Sequence, residues 1–183
     1  MKPLITLILL NTLVLAGYSQ SIFMTRSGQI SFFSKTSVEN IEGINNEVTS
    51  MLDIGKGDLV FAVLIKSFHF EKALMEEHFN ENYMESNTYP KATFQGKIKN
   101  LSAINFTKDG TYEATIEGDL TIHGVKQPHK TIGTITVSKG KIAAVSTFTL
   151  KLADYKIEIP SLVADKISPT IEIKVNCQYE PKP

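Results

Sequence analysis

The sequence predicts an all-β protein, an antiparallel barrel of about eight strands with one amphipathic helix. The main observation is the stretch of residues 112–124, in which apolar or small side chains alternate with polar ones at every position. A period of two is typical of a half-buried antiparallel strand and does not fit a helix. At roughly 3.3 Å per residue the strand is unusually long. We therefore expect it to bend at Gly118, and long bent strands favour a barrel.

Further segments with the same alternation supply most of the other strands. They are residues 23–35, 91–99, 131–138, 141–150 and 170–179. Residues 47–54 and 58–67 flank a glycine-bearing loop at residues 55–57, which predicts a hairpin. Residues 36–46 contain Asn and Gly with weak periodicity, so we interpret them as a connection with one short turn of helix.

One predicted strand has unusual surroundings. Residues 59–65 are apolar on both faces, so we expect both faces to be covered. We expect one face to point into the barrel interior and the other to be covered by a packed helix or by a partner subunit. Residues 71–84 predict that helix, because they lack Gly and Pro and place Met75, Phe79 and Tyr83 on one face.

The N-terminus predicts a signal peptide rather than part of the fold. Residues 1–19 begin with Lys2, continue with an apolar run and end in small residues around Tyr18. The apolar run is shorter than the ~18 to 20 residues that span a bilayer, which argues against the alternative of a retained membrane anchor. We expect residues 20–183 to form a single exported domain.

Composition and motifs exclude several classes of function. The formal net charge is zero with a pI near 6.9, and no basic cluster occurs, which argues against nucleic acid as a partner. The four histidines show no metal-binding spacing and Cys177 is the only cysteine, so we predict no metal site and no cofactor. The sequence also lacks a nucleophile motif such as G-x-S-x-G, and we predict no catalytic residues and no enzymatic activity.

Two motifs carry a resemblance to a known family. Residues 78–94 read HFNENYMESNTYPKATF, residues 120–125 read LTIHGV, and a final strand follows residues 164–167. In this order and at this distance they resemble the bacterial YceI-like family, over residues 22–180. One departure is the Lys-Gln-Pro-His run after Val125, where the family has a plainer turn exit.

The resemblance implies a lipocalin-like, up-and-down antiparallel barrel that is periplasmic or secreted. It also implies an apolar cavity that holds a polyisoprenoid or a similar long-chain amphiphile, and a possible homodimer. The identity of the lipid and its headgroup is not implied. An isoprenoid or quinone-like lipid is expected only as a ligand.

The residues themselves are compatible with a cavity. The interior of an eight-stranded barrel either fills with side chains or holds one small ligand. The predicted inward faces mix large and small residues, and small residues such as Ala114 and Ala144 leave volume unfilled. The predicted cavity-lining residues are Ile30, Phe32, Phe61, Val63, Phe79, Phe94, Ala114, Ile116, Leu120, Ala144, Phe148 and Ile173.

Three hypotheses for function follow from this sequence. The leading one is an exported lipid-binding protein that carries or stores its ligand. The second is a fully packed barrel that serves as a structural or interaction protein. The third, an enzyme acting on a lipid-like substrate, would require a perturbed carboxylate or histidine at the cavity.

Overall fold

Strands that alternate in direction make up most of the chain. The computed structural model describes residues 21–182. Its strands are β1 (Ile22–Lys35), β2 (Asn40–Asp53), β3 (Asp58–Leu64), β4 (His69–Phe70), β5 (Lys91–Ile98), β6 (Gly110–Ile122), β7 (Val125–Ser138), β8 (Lys141–Lys151) and β9 (Thr170–Pro181). Eight of them form a ring in the order β1-β9-β8-β7-β6-β5-β3-β2, and pairing of β1 with β2 closes it. The predicted eight-stranded antiparallel barrel is confirmed.

The helical segments are short. The helix α1 (Ala73–His78) continues into a π-helical turn (Phe79–Tyr83), so helical backbone occurs within the predicted residues 71–84. Single 3-10 turns occur at Ile65–Ser67, Leu101–Ala103, Leu152–Tyr155 and Ser161–Val163.

From the sequence we expected the helix to cover the outer face of β3, but it does not. Phe79 packs inward instead, with its ring centroid 5.3 Å from that of Phe32 and 5.5 Å from that of Phe68. On the outer face of β3, Leu64 stays 44% exposed, and Met51 of β2, which pairs with Val60 of β3, stays 38% exposed. The expectation that a helix covers this apolar face is therefore wrong.

The predicted connection at residues 36–46 is confirmed only for residues 36–39 and is wrong for the rest, because β2 begins at Asn40. The polar residues are accommodated within the strand: the side-chain amide of Asn45 is fully buried and donates to the carbonyl of Leu64 at 2.9 Å. Gly43 lies opposite Phe32 of β1, and a Cβ at this glycine would come within 2.5 Å of the Phe32 ring. Both residues thus have a role in the sheet that their helix and turn preferences do not reveal.

The two ends of the barrel differ. At the end that holds the 54–57 and 139–140 turns, the interior is filled by a packed core. This core includes Leu52, Leu59, Ile98, Ala114, Ile135, Val137, Ile142, Cys177 and Tyr179. At the other end lie the helix, the 36–39 turn and the long 152–169 segment. The interior toward this second end is not filled.

Candidate functional site

A large cavity occupies the barrel from its middle to the end that carries the helix. Its volume is about 550 Å³, within the range of roughly 300 to 1,000 Å³ that is usual for small-molecule sites. Its walls are mostly aliphatic and aromatic side chains. Such a space can take up an apolar molecule, because that molecule has no polar groups that would be left without hydrogen-bond partners.

The strands place most of the sequence-predicted residues around this cavity. Eleven of the twelve line it, namely Ile30, Phe32, Phe61, Val63, Phe79, Phe94, Ile116, Leu120, Ala144, Phe148 and Ile173. Their alternation along each strand explains this, because every second side chain points into the barrel. Whether these residues contact a ligand stays a prediction.

Ala114 is the exception and needs a correction. It shares a face of β6 with Ile116, but it lies two residues nearer the closed end of the barrel. There it is fully buried in the packed core, opposite Gly133 of β7. The face of Ala114 was predicted well, but its position along the barrel axis was not.

An aromatic cluster forms the wall beneath the helix. The ring of Phe32 lies 5.5 Å from that of Phe68 and 5.6 Å from that of Phe70, measured between centroids. Phe79 contacts the same rings from the helical segment. Tilted and edge-on pairs of this kind add to the stability of the wall beyond the area they bury.

Sequence analysis missed the contribution of the 152–169 segment. None of the strands predicted from the sequence includes residues 152–169, yet this region supplies cavity-lining side chains. They are Leu152, Tyr155, Ile157, Val163, Lys166 and Ile167. The available signal was the recurrence of apolar residues on both sides of Pro160, which is unusual for a solvated loop.

A few polar side chains also line the cavity, on β7 and β8. Nε2 of His129 is buried and has no hydrogen-bond partner among residues 21–182, and its ring lies 4.5 Å from that of Phe148. Burial lowers the pKa of His129, which favours the neutral imidazole. The hydroxyl groups of Thr131 and Ser146 lie 3.3 Å apart beside it. These groups form a polar patch in a wall that is mostly apolar.

Three segments surround the open end of the cavity. Lys72 beside the helix pairs with Glu39 of the 36–39 turn at 3.4 Å, and both line the cavity. The backbone N–H of Ser168 donates to Oγ of Ser34 at 2.9 Å, which ties the 152–169 segment to β1. Lys166 lines the cavity from the same segment. The entrance therefore carries charged side chains of both signs.

The remaining sequence-predicted features can be placed as follows. Cys177 is buried in the packed core, and burial raises the pKa of its thiol to about 11. Nδ1 of His123 contacts the carbonyl of Tyr155 at 3.2 Å, so this histidine is a backbone-bonded turn residue. Across residues 21–182, no three His, Cys, Asp or Glu side chains are grouped to hold a metal ion. Within the same range, no helix has the length and hydropathy needed to cross a membrane.

The comparison with protein families gives a direct result. The model of the YceI-like domain matches residues 23–179, which is most of the chain. The chain belongs to the YceI-like family. The sequence-based identification is thereby confirmed. A search of curated proteins finds no match to this YceI-like chain.

Solved structures share the fold of this YceI-like protein. A polyisoprenoid binding domain from Saccharophagus degradans, implicated in plant cell wall breakdown, has a TM-score of 0.78 and 16% identity, covering 89% of this chain and 99% of its own. BcnA from Burkholderia cenocepacia has a TM-score of 0.68 and 16% identity, covering 84% and 96%. The YCEI protein of Campylobacter jejuni has a TM-score of 0.59 and 20% identity, covering 76% and 85%.

Proposed function

We propose that the protein is an exported lipid-binding protein that holds a polyisoprenoid or a similar long-chain amphiphile in the barrel cavity, for carriage or storage. The observation that carries this proposal is the cavity of about 550 Å³ with its apolar walls. The Saccharophagus degradans domain with the same fold is described as a polyisoprenoid binding domain, which supports the same class of ligand here.

Burial of the chain would supply the affinity. Each methylene group transferred from water to an apolar site contributes about 0.8 kcal/mol, so several isoprene units would exceed the entropic cost of ordering the lipid. The aromatic cluster around Phe32 and the aliphatic residues of β6 would contact the chain along its length. Neither a metal ion nor a cofactor has a part in this proposal, and nucleic acid is not a proposed partner.

Export is part of the proposal and depends on residues 1–19, which lie outside the described residues. We propose that they are a signal peptide and that residues 20–183 are the single mature domain, periplasmic or secreted. N-terminal sequencing of the exported protein should give a start at or near Gln20. Recovery of residues 1–19 on that protein would contradict this part of the proposal.

The enzyme hypothesis required a perturbed carboxylate or histidine at the cavity, and His129 is such a histidine. Catalysis by an imidazole normally needs a partner that orients the ring, most often a carboxylate. Among residues 21–182, no carboxylate forms a hydrogen bond with the His129 ring. We therefore propose a binding role for the site and no enzymatic activity.

The outer face of β3 is where we propose a homodimer contact. Leu64 and Met51 leave an apolar surface there, and the helix does not cover it. Light scattering on the purified protein should give twice the chain mass, and Leu64→Glu should give the monomer mass. A wild-type monomer would contradict the homodimer and leave the lipid proposal unaffected.

Native mass spectrometry on protein purified from its own compartment tests the proposed function. We expect an adduct with the mass of a prenyl or acyl lipid, which is lost on extraction with organic solvent. The extracted protein should then bind hexaprenol, a thirty-carbon prenol. Absence of an adduct together with failure to bind hexaprenol would refute the proposal.

A further inference from the structure

The barrel wall opens between β7 and β8. These two strands pair from the 139–140 turn only as far as Gly133 and Ser146. Beyond that point, residues 125–132 of β7 pair with β6 alone, and residues 147–151 of β8 pair with β9 alone. At the last paired position the hydroxyl of Ser146 donates to the carbonyl of Ile132 at 2.9 Å. This side-chain hydrogen bond stands where the backbone hydrogen bonds between β7 and β8 end.

The 3-10 turn Leu152–Tyr155 bounds the other side of this gap. The side-chain amide of Gln127 on β7 donates to the carbonyl of Asp154 at 3.1 Å, which joins the turn to β7. We call the opening enclosed by residues 128–131, residues 147–150 and this turn the side window. On the outer surface it forms a depression of about 280 Å³.

The side window adjoins the barrel cavity. Three residues line both the outer depression and the cavity, namely His129, Leu150 and Tyr155. The window lies in the barrel wall at the same end of the barrel as the helix, and the turn that bounds it is part of the 152–169 segment. The cavity thus comes close to the outer surface in the barrel wall as well as at the open end.

His129 lines both spaces, and in the part of the chain that the structure describes its buried Nε2 has no hydrogen-bond partner. A buried polar atom left unpaired destabilises the fold, and most such atoms in proteins have a partner. The neighbouring ring of Phe148 offers none. This atom can therefore form a hydrogen bond with a polar group of a ligand.

We propose that the side window holds the polar end of the bound amphiphile, with Nε2 of His129 hydrogen-bonded to an uncharged oxygen such as a prenol hydroxyl or a quinone carbonyl. The proposal rests on the proposed function, and it adds the location and the chemical class of the headgroup. The isoprenoid chain would extend from the window into the apolar cavity.

The charges around the side window favour an uncharged headgroup over a phosphate. Lys151 and Asp154 line the outer depression and carry opposite charges, so they leave no net charge there. Burial also lowers the pKa of His129, so the ring is neutral and gains no salt bridge to an anion. The open end, with Lys72 and Lys166, is the competing location for a charged headgroup.

Binding of two matched probes tests the proposal. Hexaprenol and squalene both have thirty carbons, and only hexaprenol has a hydroxyl group. In delipidated protein, His129→Leu should weaken hexaprenol binding roughly three- to tenfold, the worth of one hydrogen bond. It should leave squalene binding unchanged, and His129→Gln should restore part of the hexaprenol affinity. Lys166→Gln tests the open end as the competing location: if the headgroup lies in the side window, this variant should change the affinities for the two probes by the same factor.

The outcomes separate the two proposals. Equal effects of His129→Leu on both probes, or a selective loss of hexaprenol in Lys166→Gln, would overturn the side window as the headgroup site. Failure of the wild-type protein to bind either probe would overturn the proposed function and the side window with it.

A second experiment does not depend on His129 variants. Quinones quench nearby fluorophores, so a prenylquinone can report the position of its headgroup. A thiol-reactive fluorophore is attached at Ile132→Cys, beside the window, or at Leu162→Cys in the 152–169 segment; these side chains are 58% and 91% exposed. Native Cys177 is buried and should not react. Stronger quenching at position 132 supports the proposal, and stronger quenching at position 162 or equal quenching at both overturns it.

Discussion

Gly96 and Gly118 lie directly opposite each other on β5 and β6, and the ring of Phe94 lies over both of them. A Cβ atom at Gly96 would come within 2.4 Å of Cζ of Phe94, and one at Gly118 within 2.8 Å of the same atom. The paired glycines therefore leave the space that one aromatic ring occupies. Since Phe94 lines the cavity, this arrangement helps to shape the cavity wall.

We predict that Gly118→Val destabilises the protein strongly. Besides Phe94, a Cβ at this position would meet the carbonyl oxygen of Gln95 at 2.4 Å, and a backbone atom cannot move aside as a side chain can. Overpacking of this kind costs about 1 to 3 kcal/mol. The free energy of unfolding from urea titration measures it. Gly55→Val is the control, because the nearest atom to its Cβ is a side-chain oxygen of Asp53 at 3.3 Å. Equal stability of wild type and Gly118→Val would contradict the prediction.

A buried hydrogen bond at the closed end gives a second prediction. Oγ of Ser50 donates to the carbonyl of Val60 at 2.9 Å and lies 2.7 Å from the hydroxyl of Tyr179, so the tyrosine is the donor in their contact. Burial raises the pKa of Tyr179, which keeps this hydroxyl protonated.

Ser50→Ala should therefore cost more stability than Tyr179→Phe. The alanine leaves the buried tyrosine hydroxyl unpaired, at about 1 to 3 kcal/mol, whereas Tyr179→Phe removes one hydrogen bond worth about 0.5 to 1.5 kcal/mol. Thermal and urea unfolding of both variants compare them. A larger loss in Tyr179→Phe would show that the donor assignment is wrong.

The strand content could be predicted from the sequence because inward and outward side chains alternate at every residue. This local pattern identified the strand that contains Gly118, and it placed Phe32, Phe94 and Phe148 on the inner face. Besides the predicted bend, the close approach of Phe94 is a second reason for a glycine at position 118. That reason depends on pairing with Gly96, which no local pattern reveals.

Positions along the barrel axis could not be predicted in the same way. The register between neighbouring strands decides which inward residues fall in the packed core and which reach the cavity, and register depends on distant parts of the chain. Ala114 was misplaced for this reason. His129 was missed as a cavity residue, because its burial depends on the separation of β7 from β8.

The buried histidine predicts a pH dependence of stability. Burial lowers the folded-state pKa of His129, so just below about pH 6.5 the unfolded chain binds a proton that the folded chain does not. Stability should fall as the pH drops through about 6.5, and this loss should level off below the folded-state pKa. Tyr155, which also lines the side window, has a raised pKa and stays neutral throughout.

Urea titrations between pH 5 and 8 measure this effect, and His129→Gln is the control. The stability of wild type relative to His129→Gln should decrease toward low pH, since only the wild type loses this contribution. Parallel pH profiles for the two proteins would show that His129 does not titrate differently on unfolding.

The last prediction compares two alanines that the sequence alone made equivalent. Both Ala114 and Ala144 are small residues on inward faces, but Ala144 lines the cavity and Ala114 is fully buried in the packed core. Ala144→Phe should therefore fold with nearly unchanged stability, because its ring enters empty space. Ala114→Phe should lose about 1 to 3 kcal/mol or more through strain, because no space is available there.

Ligand binding should separate the same two variants in the opposite sense. The ring at position 144 takes up volume that the isoprenoid chain needs, so Ala144→Phe should fold and fail to bind hexaprenol. Any Ala114→Phe protein that remains folded should still bind, because its ring lies outside the cavity. Denaturant titration and hexaprenol binding, measured on the same preparations, give both results. Normal binding by a folded Ala144→Phe variant would show that the lipid chain does not occupy this part of the barrel.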